Sequence, residues 1–409
     1  MKFGLFFEIQ CPKPWDEGSE HRVFHEALEQ AVLADKLGFD CVWHAEHHFL
    51  EEYSHSSAPE LMLAAIAART KNIRIGHGIK HVTTNHPLRI AEQVGTLDII
   101  SNGRLELGLG EGSNTTELHP FEVRFREKRE HFEDAVKCFM PMLWNESWSY
   151  ESERFKVPPR NVLPKPLQKP HPPLWVACSQ TETIRQAGAW GMGAMGFAFV
   201  DPTGAEAWVH AYYNAFLNHQ QPITNYQPQA NLTSSYYFLC APTDELAFER
   251  AQGATFFEFS LGYYQKFGPF EAGKTDFWAE YLKWRETDKA RIKEAFLREH
   301  MMVGSPATLR PRVKKLHDLH VDQVLLIAQT GKTTHEQICE SMEIFAREVM
   351  PEFHDLDDKH QDWKRKVLSR EIVLSDIDTT GRDLRQAEDQ SIDQSVKKDP
   401  AEKAFAQNL

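Results

Sequence analysis

The run Val42-Trp43-His44-Ala45-Glu46-His47-His48-Phe49 places four titratable side chains within five positions at the end of an apolar stretch. Buried ionisable groups are costly unless a partner, water or a ligand meets them, so this crowding needs a cause. Three readings compete. A metal site would want ligands at a recognised spacing, but His44-Ala45-Glu46-His47 is one residue short of the H-x-x-E-H pattern and lies on a strand and loop rather than a helix; no metal is assigned. The second reading is a structural network of mutually satisfied polar groups. The third is acid or base chemistry, because histidine titrates at about pH 6.5 and a neighbouring carboxylate can tune it.

A different chemistry is available at Val176-Ala177-Cys178-Ser179-Gln180-Thr181-Glu182-Thr183, which runs from a strand into a helix. A helix N-terminus offers N–H groups without intrahelical acceptors and a dipole that favours an anion by up to about 2 kcal/mol. Ser179 and Thr183 would add hydroxyls. The plainer alternative is that Ser179 or Thr181 only caps the helix.

Such groups need a scaffold, and the chain alternates short apolar runs with longer segments of helical period, the pattern of a parallel sheet covered by helices. Eight strands are expected: Lys2 to Phe7, Asp40 to Trp43, Ile73 to Gly76, Leu105 to Leu109, Leu174 to Ala177, Ala194 to Phe199, Ala230 to Leu239 and Gln323 to Ala328. Helices are expected between them, among them Val23 to Leu37 closed by Gly38, Pro59 to Thr70, Pro87 to Ile100, Arg129 to Trp144, Glu182 to Trp190, Thr203 to Gln220, Asp244 to Ala254 and Thr334 to Glu348. The sum is an α/β fold, a (β/α)8 TIM barrel over residues 1–353. In such barrels the reactive groups sit at the C-terminal strand ends, where both stretches above fall.

Asn145 to Pro173 interrupts the alternation with a hairpin (Trp148 to Val157) and a proline-rich passage, which reads as a surface excursion because proline donates nothing to a ladder. Thr255 to His300 is long and aromatic (Phe256, Phe257, Phe259, Tyr263, Tyr264, Phe267, Phe270) and suggests a lid or an interface. Residues 354–409 form a charged extension with a helical patch near Asp362 to Leu374, then a polar tail, Asp376 to Leu409, expected to be flexible.

Composition excludes several classes. A formal charge of −13 argues against nucleic acid as the main partner, since phosphate binding needs a clustered positive surface. No apolar run approaches the roughly 18 residues that span a bilayer, so no membrane association is expected. Six scattered cysteines without a C-x-x-C pair, and a start at Met1-Lys2-Phe3 without a leader pattern, lead to the expectation of a cytoplasmic protein with free thiols.

Several separated segments, in order, resemble the bacterial luciferase-like flavin-dependent monooxygenases. They are Glu46-His47-His48-Phe49 after Val42-Trp43; His86-Pro87-Leu88-Arg89-Ile90-Ala91-Glu92; Leu97-Asp98; Ser101-Asn102-Gly103-Arg104; Pro164-Lys165-Pro166-Leu167-Gln168; Pro172-Pro173-Leu174-Trp175-Val176-Ala177; and Gly304-Ser305-Pro306 followed by Val321-Asp322-Gln323-Val324-Leu325-Leu326. The resemblance spans about Met1 to Phe353. It implies a barrel that binds reduced FMN (FMNH2), supplied by a separate NAD(P)H-dependent flavin reductase, and uses O2 to oxygenate a small organic substrate through a flavin hydroperoxide, commonly as a homodimer. By this likeness His47 handles the proton, with Glu46 and His48 holding it in place. Ser179 and Thr183 fall where the family contacts the flavin phosphate. Gly78, in the loop His77 to His86, falls where relatives lie along the flavin ring, while His86 and Arg89 read as structural polar contacts.

One position departs from the pattern. Several relatives carry an arginine two residues after the glycine that ends strand four, where this chain has Glu111 in Gly108-Leu109-Gly110-Glu111-Gly112. An acid there would repel a phosphate by about 1 kcal/mol through partly screened surroundings. Either Arg185, one turn into the proposed phosphate helix, compensates, or Glu111 faces elsewhere. The same fold also suits a deazaflavin-dependent hydride-transfer oxidoreductase, a non-catalytic flavin-binding subunit, or a metal-dependent hydrolase. The Glu-His-His run favours oxygen chemistry, and retention of His47 counts against a non-catalytic subunit.

Overall fold

The computed structural model describes residues 1–197, 202–219, 227–264, 271–287 and 301–377. Its strands are β1 (Lys2–Phe7), β2 (Cys41–His44), β3 (Arg74–His81), β4 (Leu105–Gly110), β5 (Trp148–Glu151), β6 (Lys156–Arg160), β7 (Leu174–Cys178), β8 (Gly193–Gly196), β9 (Leu232–Cys240), β10 (Met302–Gly304) and β11 (Gln323–Ile327). The large sheet runs β10-β9-β11-β1-β2-β3-β4-β7-β8 and closes on itself through β8 and β9. Every pairing in it is parallel, from Phe7 beside His44 in β1 and β2 to Gly196 beside Ser234 in β8 and β9. Eight strands therefore make a closed (β/α)8 TIM barrel, and β10 adds to β9 outside the ring. Strands buried on both faces read as continuous apolar runs, which is why all eight were legible.

Alternate residues point to two cores. Phe6, Trp43, Trp175, Met195, Tyr237 and Leu325 fill the barrel, whereas Phe3, Val42, Ile75 and Leu107 face the helical layer. Two glycines make the interior possible. A Cβ on Gly76 would stand 2.2 Å from the Trp43 ring and one on Gly193 2.5 Å from Trp175, so each tryptophan lies across its neighbour strand's bare backbone. The two indoles meet edge to face at 5.4 Å.

Among the described residues the helices are α1 (Ser19–Leu37), α2 (Pro59–Arg69), α3 (Pro87–Ile100), α4 (Thr115–Leu118), α5 (Lys128–Phe139), α6 (Thr181–Ala189), α7 (Pro202–Phe216), α8 (Asp244–Arg250), α9 (Ala254–Gly262), α10 (Phe277–Thr287), α11 (Pro306–Asp318), α12 (His335–Glu348), α13 (Met350–Asp355) and α14 (Asp357–Leu368). β5 and β6 form the antiparallel hairpin of the excursion. His86 is the N-cap of α3, its Nδ1 accepting from Leu88 N at 3.2 Å, and Arg89 pairs with Glu92.

Three differences from the sequence reading matter. β3 does not stop at Gly76 but continues to His81 through a register shift between His77 and Lys80, so half of the expected loop is strand. β10 went unseen because three residues carry no period. The C-terminal helical patch starts earlier, at Asp357. Ala198 and Phe199 of the expected sixth strand, Gln220, Phe267, Phe270 and most of the C-terminal tail lie outside the described residues. Within the aromatic segment, Phe256, Phe259, Phe277 and Tyr281 pack on one another, and Phe257 reaches Tyr53 and Tyr237 at 5.1 and 5.4 Å.

The extension is tied to the N-terminal mouth of the barrel. Asp322, just before β11, is buried, and its Oδ2 accepts from Tyr213 of α7 and from Leu232 N, both at 2.8 Å. Its Oδ1 faces His360 Nε2 at 2.8 Å and Lys364 Nζ at 3.0 Å, both from α14. Trp363 of the same helix stacks on His320 at 3.8 Å. Burial alone would raise the Asp322 carboxyl, but Lys364 and His360 hold it well below the usual range.

Candidate active site

The C-terminal mouth gathers side chains from the first four barrel strands. The turn after β2 is pinned by backbone and hydroxyl contacts: Ala45 N donates to Phe7 O at 3.0 Å, His47 N to Ser56 O at 2.9 Å, and Ser56 Oγ to Ala45 O at 2.6 Å. These bonds aim His47 inward. Its Nδ1 lies 2.8 Å from Glu117 Oε1 and its Nε2 3.3 Å from Glu8 Oε2, so one imidazole stands between two buried carboxylates.

Each carboxylate is itself held. Glu8 follows β1 and accepts Tyr53 OH at 3.3 Å on Oε1. Glu117 lies in the short helix α4, whose N-cap Asn114 accepts Glu117 N at 3.0 Å through Oδ1 and donates Nδ2 to Glu117 Oε2 at 2.7 Å. Glu117 Oε1 also takes His48 N at 3.1 Å. Burial would lower the His47 pKa, but Glu117 and Glu8 outweigh it and raise it well above 6.5. The two carboxylates thus favour the charged form of the His47 ring, and that charge holds Glu117, despite its burial, below its usual range.

The other members of the sequence cluster separate into distinct roles. His44 is buried, stacked on Phe7 at 5.0 Å, and burial drops its pKa to about 3. It packs as a neutral ring. Glu46 does not contact His47, contrary to the expectation that it holds that residue. Its Oε1 faces His48 Nε2 at 3.2 Å and accepts Asn85 Nδ2 at 2.7 Å, while Oε2 accepts His81 N at 3.1 Å and pairs with Lys80 Nζ at 3.1 Å. The reason is electrostatic: Lys80, brought inside by the extra length of β3, is a buried cation that needs a buried anion. Lys80 and His48 keep the Glu46 carboxyl ionised against its burial. His81 lies beside both catalytic candidates, its ring centroid 6.1 Å from His47 and 5.8 Å from His48. Burial lowers its pKa to about 4, more than Glu117 and Glu46 raise it.

The remaining sequence candidates occupy two other places. Gly78 sits in the irregular part of β3, where a Cβ would stand 2.6 Å from Phe6. At the start of α6, Ser179 is exposed, and Thr183 Oγ1 accepts from Ser179 N and Gln180 N, both at 3.2 Å. Arg185 points along the helix layer to Asp376, 3.4 Å away on the surface, and does not meet Glu111. The cations on Glu111 come instead from the first turn of α5, which crosses the loop after β4: Lys128 Nζ at 3.0 Å and Arg129 Nη1 at 3.8 Å. Lys128 also donates to Gly112 O at 2.8 Å.

Sequence reasoning missed Glu8, Lys80, Asn85 and Glu117. Glu8 had an available signal, an acid directly after the first strand. Glu117 had none, since its link to His47 crosses 70 residues.

Fold and site together describe an α/β barrel with a proton-holding histidine at its C-terminal mouth. The family description for luciferase-like monooxygenases matches residues 1–323, and the chain belongs to that family. The oxygenase component of flavin-dependent trigonelline monooxygenase from Acinetobacter baylyi is 29% identical over 182 residues, 43% of this chain and 49% of that protein. The chain thus spans about half the length of the curated relatives it matches first. Monooxygenase RslO1 from Streptomyces bottropensis superposes with a TM-score of 0.70 at 25% identity, covering 86% of this chain and 100% of that one. Two others share the fold alone. The oxygenating constituent of 3,6-diketocamphane monooxygenase from Pseudomonas putida, in complex with FMN, gives 0.68 at 20% identity over 86% and 98% of the chains. An F420-dependent secondary alcohol dehydrogenase gives 0.64 at 17% identity over 85% and 98%.

Proposed function

We propose that this chain is the oxygenase component of a two-component flavin-dependent monooxygenase, which uses reduced FMN from a separate NAD(P)H-dependent reductase and O2 to oxygenate a small organic substrate. The observation that carries this reading is the placement of His47, clamped between Glu117 and Glu8 at the mouth where barrel enzymes do their chemistry. The flavin-dependent relative supports the choice of cofactor and of a separate reductase.

The residues at the mouth fit such a ligand. His81 Nδ1 and Glu8 Oε2 are buried polar atoms without a well-formed hydrogen bond, the latter in long ion-pair contact with His47, as expected where a bound group completes the site. The first N–H groups of α6 and the exposed Ser179 hydroxyl suit the phosphate, Thr183 holds the turn before them through Ser179 N and Gln180 N, and the repulsion expected from Glu111 is offset by Lys128 and Arg129. Gly78 would lie beside the ring. When bound, reduced FMN supplies the two electrons that activate oxygen.

The protein handles the proton. His47 carries one on each ring nitrogen, and the Nε2 contact to Glu8, at 3.3 Å, is longer than the roughly 2.8 Å of a strong charge-assisted bond. Nε2 is therefore the nitrogen from which a proton leaves for the reacting oxygen, while Glu117 keeps the ring oriented through Nδ1. Glu46, tied to Lys80, Asn85 and His81 N, fixes the wall against which His48 rests.

Replacing Glu117 with glutamine removes one of the two charges that raise the His47 pKa. The alkaline limb of the pH–rate profile is expected to move to lower pH, with the rate below that limb largely kept. The sign follows from the charge removed: with one carboxylate fewer beside it, the His47 ring gives up its proton at lower pH. An unmoved limb would remove His47 as the titrating group. The cofactor is tested by anaerobic fluorescence titration of the protein with reduced FMN and with a reduced deazaflavin. Saturable binding of the former supports the reading, and binding of the deazaflavin alone replaces it with hydride transfer.

A further inference from the structure

His47 follows β2, His81 ends β3 and Glu117 lies in α4 after β4, and one ligand atom from each lies within 4.8 Å of the others. Two independent observations point from this cluster to an ion. First, His81 is buried and its Nδ1 has no hydrogen-bond partner, so a ring nitrogen of the cluster stands unsatisfied. Second, the groups behind the cluster have the arrangement that orients metal ligands. With His47 Nδ1 turned to Glu117, its Nε2–H faces a buried carboxylate, Glu8, and the second oxygen of Glu117 is held by Asn114. Carboxylate–histidine pairs of this kind fix tautomer and ring direction at metal sites.

We propose that His47, His81 and Glu117 form a binding site for one divalent transition-metal ion of the zinc class. Two imidazoles and one carboxylate suit such an ion and leave a coordination position open for water or another ligand. A tetrahedral ion sets its ligand atoms about 3.3 Å apart. The His47 Nδ1 to Glu117 Oε1 contact of 2.8 Å must open slightly, and the widest pair in the cluster must close by up to about 1.5 Å. Small rotations of the imidazole and carboxylate groups supply movements of that size.

On binding, the Nδ1 proton of His47 leaves to solvent and the nitrogen lone pair goes to the metal. The site itself stands on its own geometry and does not require the flavin reading.

Cobalt(II) is the probe, because its visible ligand-field absorption reports coordination. Titration of the metal-free, flavin-free full chain is expected to saturate at one ion per chain and to be reversed by zinc. His81→Ala, and His81→Leu as a bulkier replacement if the alanine variant folds poorly, are expected to weaken binding by about tenfold or more. His335→Ala removes the histidine beside Cys339 and Glu29, a surface group that could capture cobalt by chance, and is expected to change nothing. Absence of saturable absorption, or binding lost in His335→Ala and kept in both His81 variants, overturns the proposal.

Discussion

His47→Ala is expected to lower turnover by about 10²- to 10⁴-fold, the usual scale for losing a positioned proton donor, while reduced-flavin affinity changes little. The large effect follows from geometry, because none of the other histidines described at the mouth can take its place. His44 and His81 are neutral, with pKa values near 3 and 4, and His48 is turned to Glu46. The alanine variant also leaves Glu8 and Glu117 facing each other without the charge between them, which costs stability as well as activity. His47→Gln, which keeps a side-chain donor and much of the volume, separates the two effects. Glutamine is expected to restore the unfolding midpoint toward wild type but not the turnover. Equal recovery of both would make His47 a structural residue.

The second large effect is on stability. Asp322→Ala is expected to cost about 3–5 kcal/mol at neutral pH, read from the denaturant midpoint, since it strips a buried carboxylate from Lys364, His360, Tyr213 and the Leu232 amide at once. The pH dependence has a definite sign. A carboxyl held below its unfolded value contributes stability that is present above about pH 4 and lost as pH falls through the folded value, so wild type and variant should converge in acid. A loss under about 1 kcal/mol would mean that α14 is not held to the barrel through this group.

The barrel was legible because its strands are short apolar runs between helical periods, a local property. Boundaries failed where polar residues are compensated at long range. Ile73 to Gly76 looked like a complete strand because His77, Lys80 and His81 read as loop, yet Lys80 is buried against Glu46 and Glu60. The candidate site was legible in part for the same reason. His47, Glu46 and His48 are neighbours in sequence and announce themselves by crowding, but their partners are set by the closed sheet. Glu8 arrives from β1 and Glu117 from beyond β4, while Glu46, expected beside His47, is drawn to Lys80. At the proposed phosphate position the missing arginine after β4 was visible, and its substitutes were not: Lys128 and Arg129 reach Glu111 from the start of α5.

The most direct test of the central claim is to load the protein anaerobically with reduced FMN and mix it with oxygenated buffer in a stopped-flow spectrophotometer, with His47→Gln alongside. Wild type is expected to reoxidise in two resolved phases, slower than free flavin, and the variant to change the lifetime of the first product and release more hydrogen peroxide. Reoxidation at the free-flavin rate in both proteins, with identical peroxide yields, would contradict it.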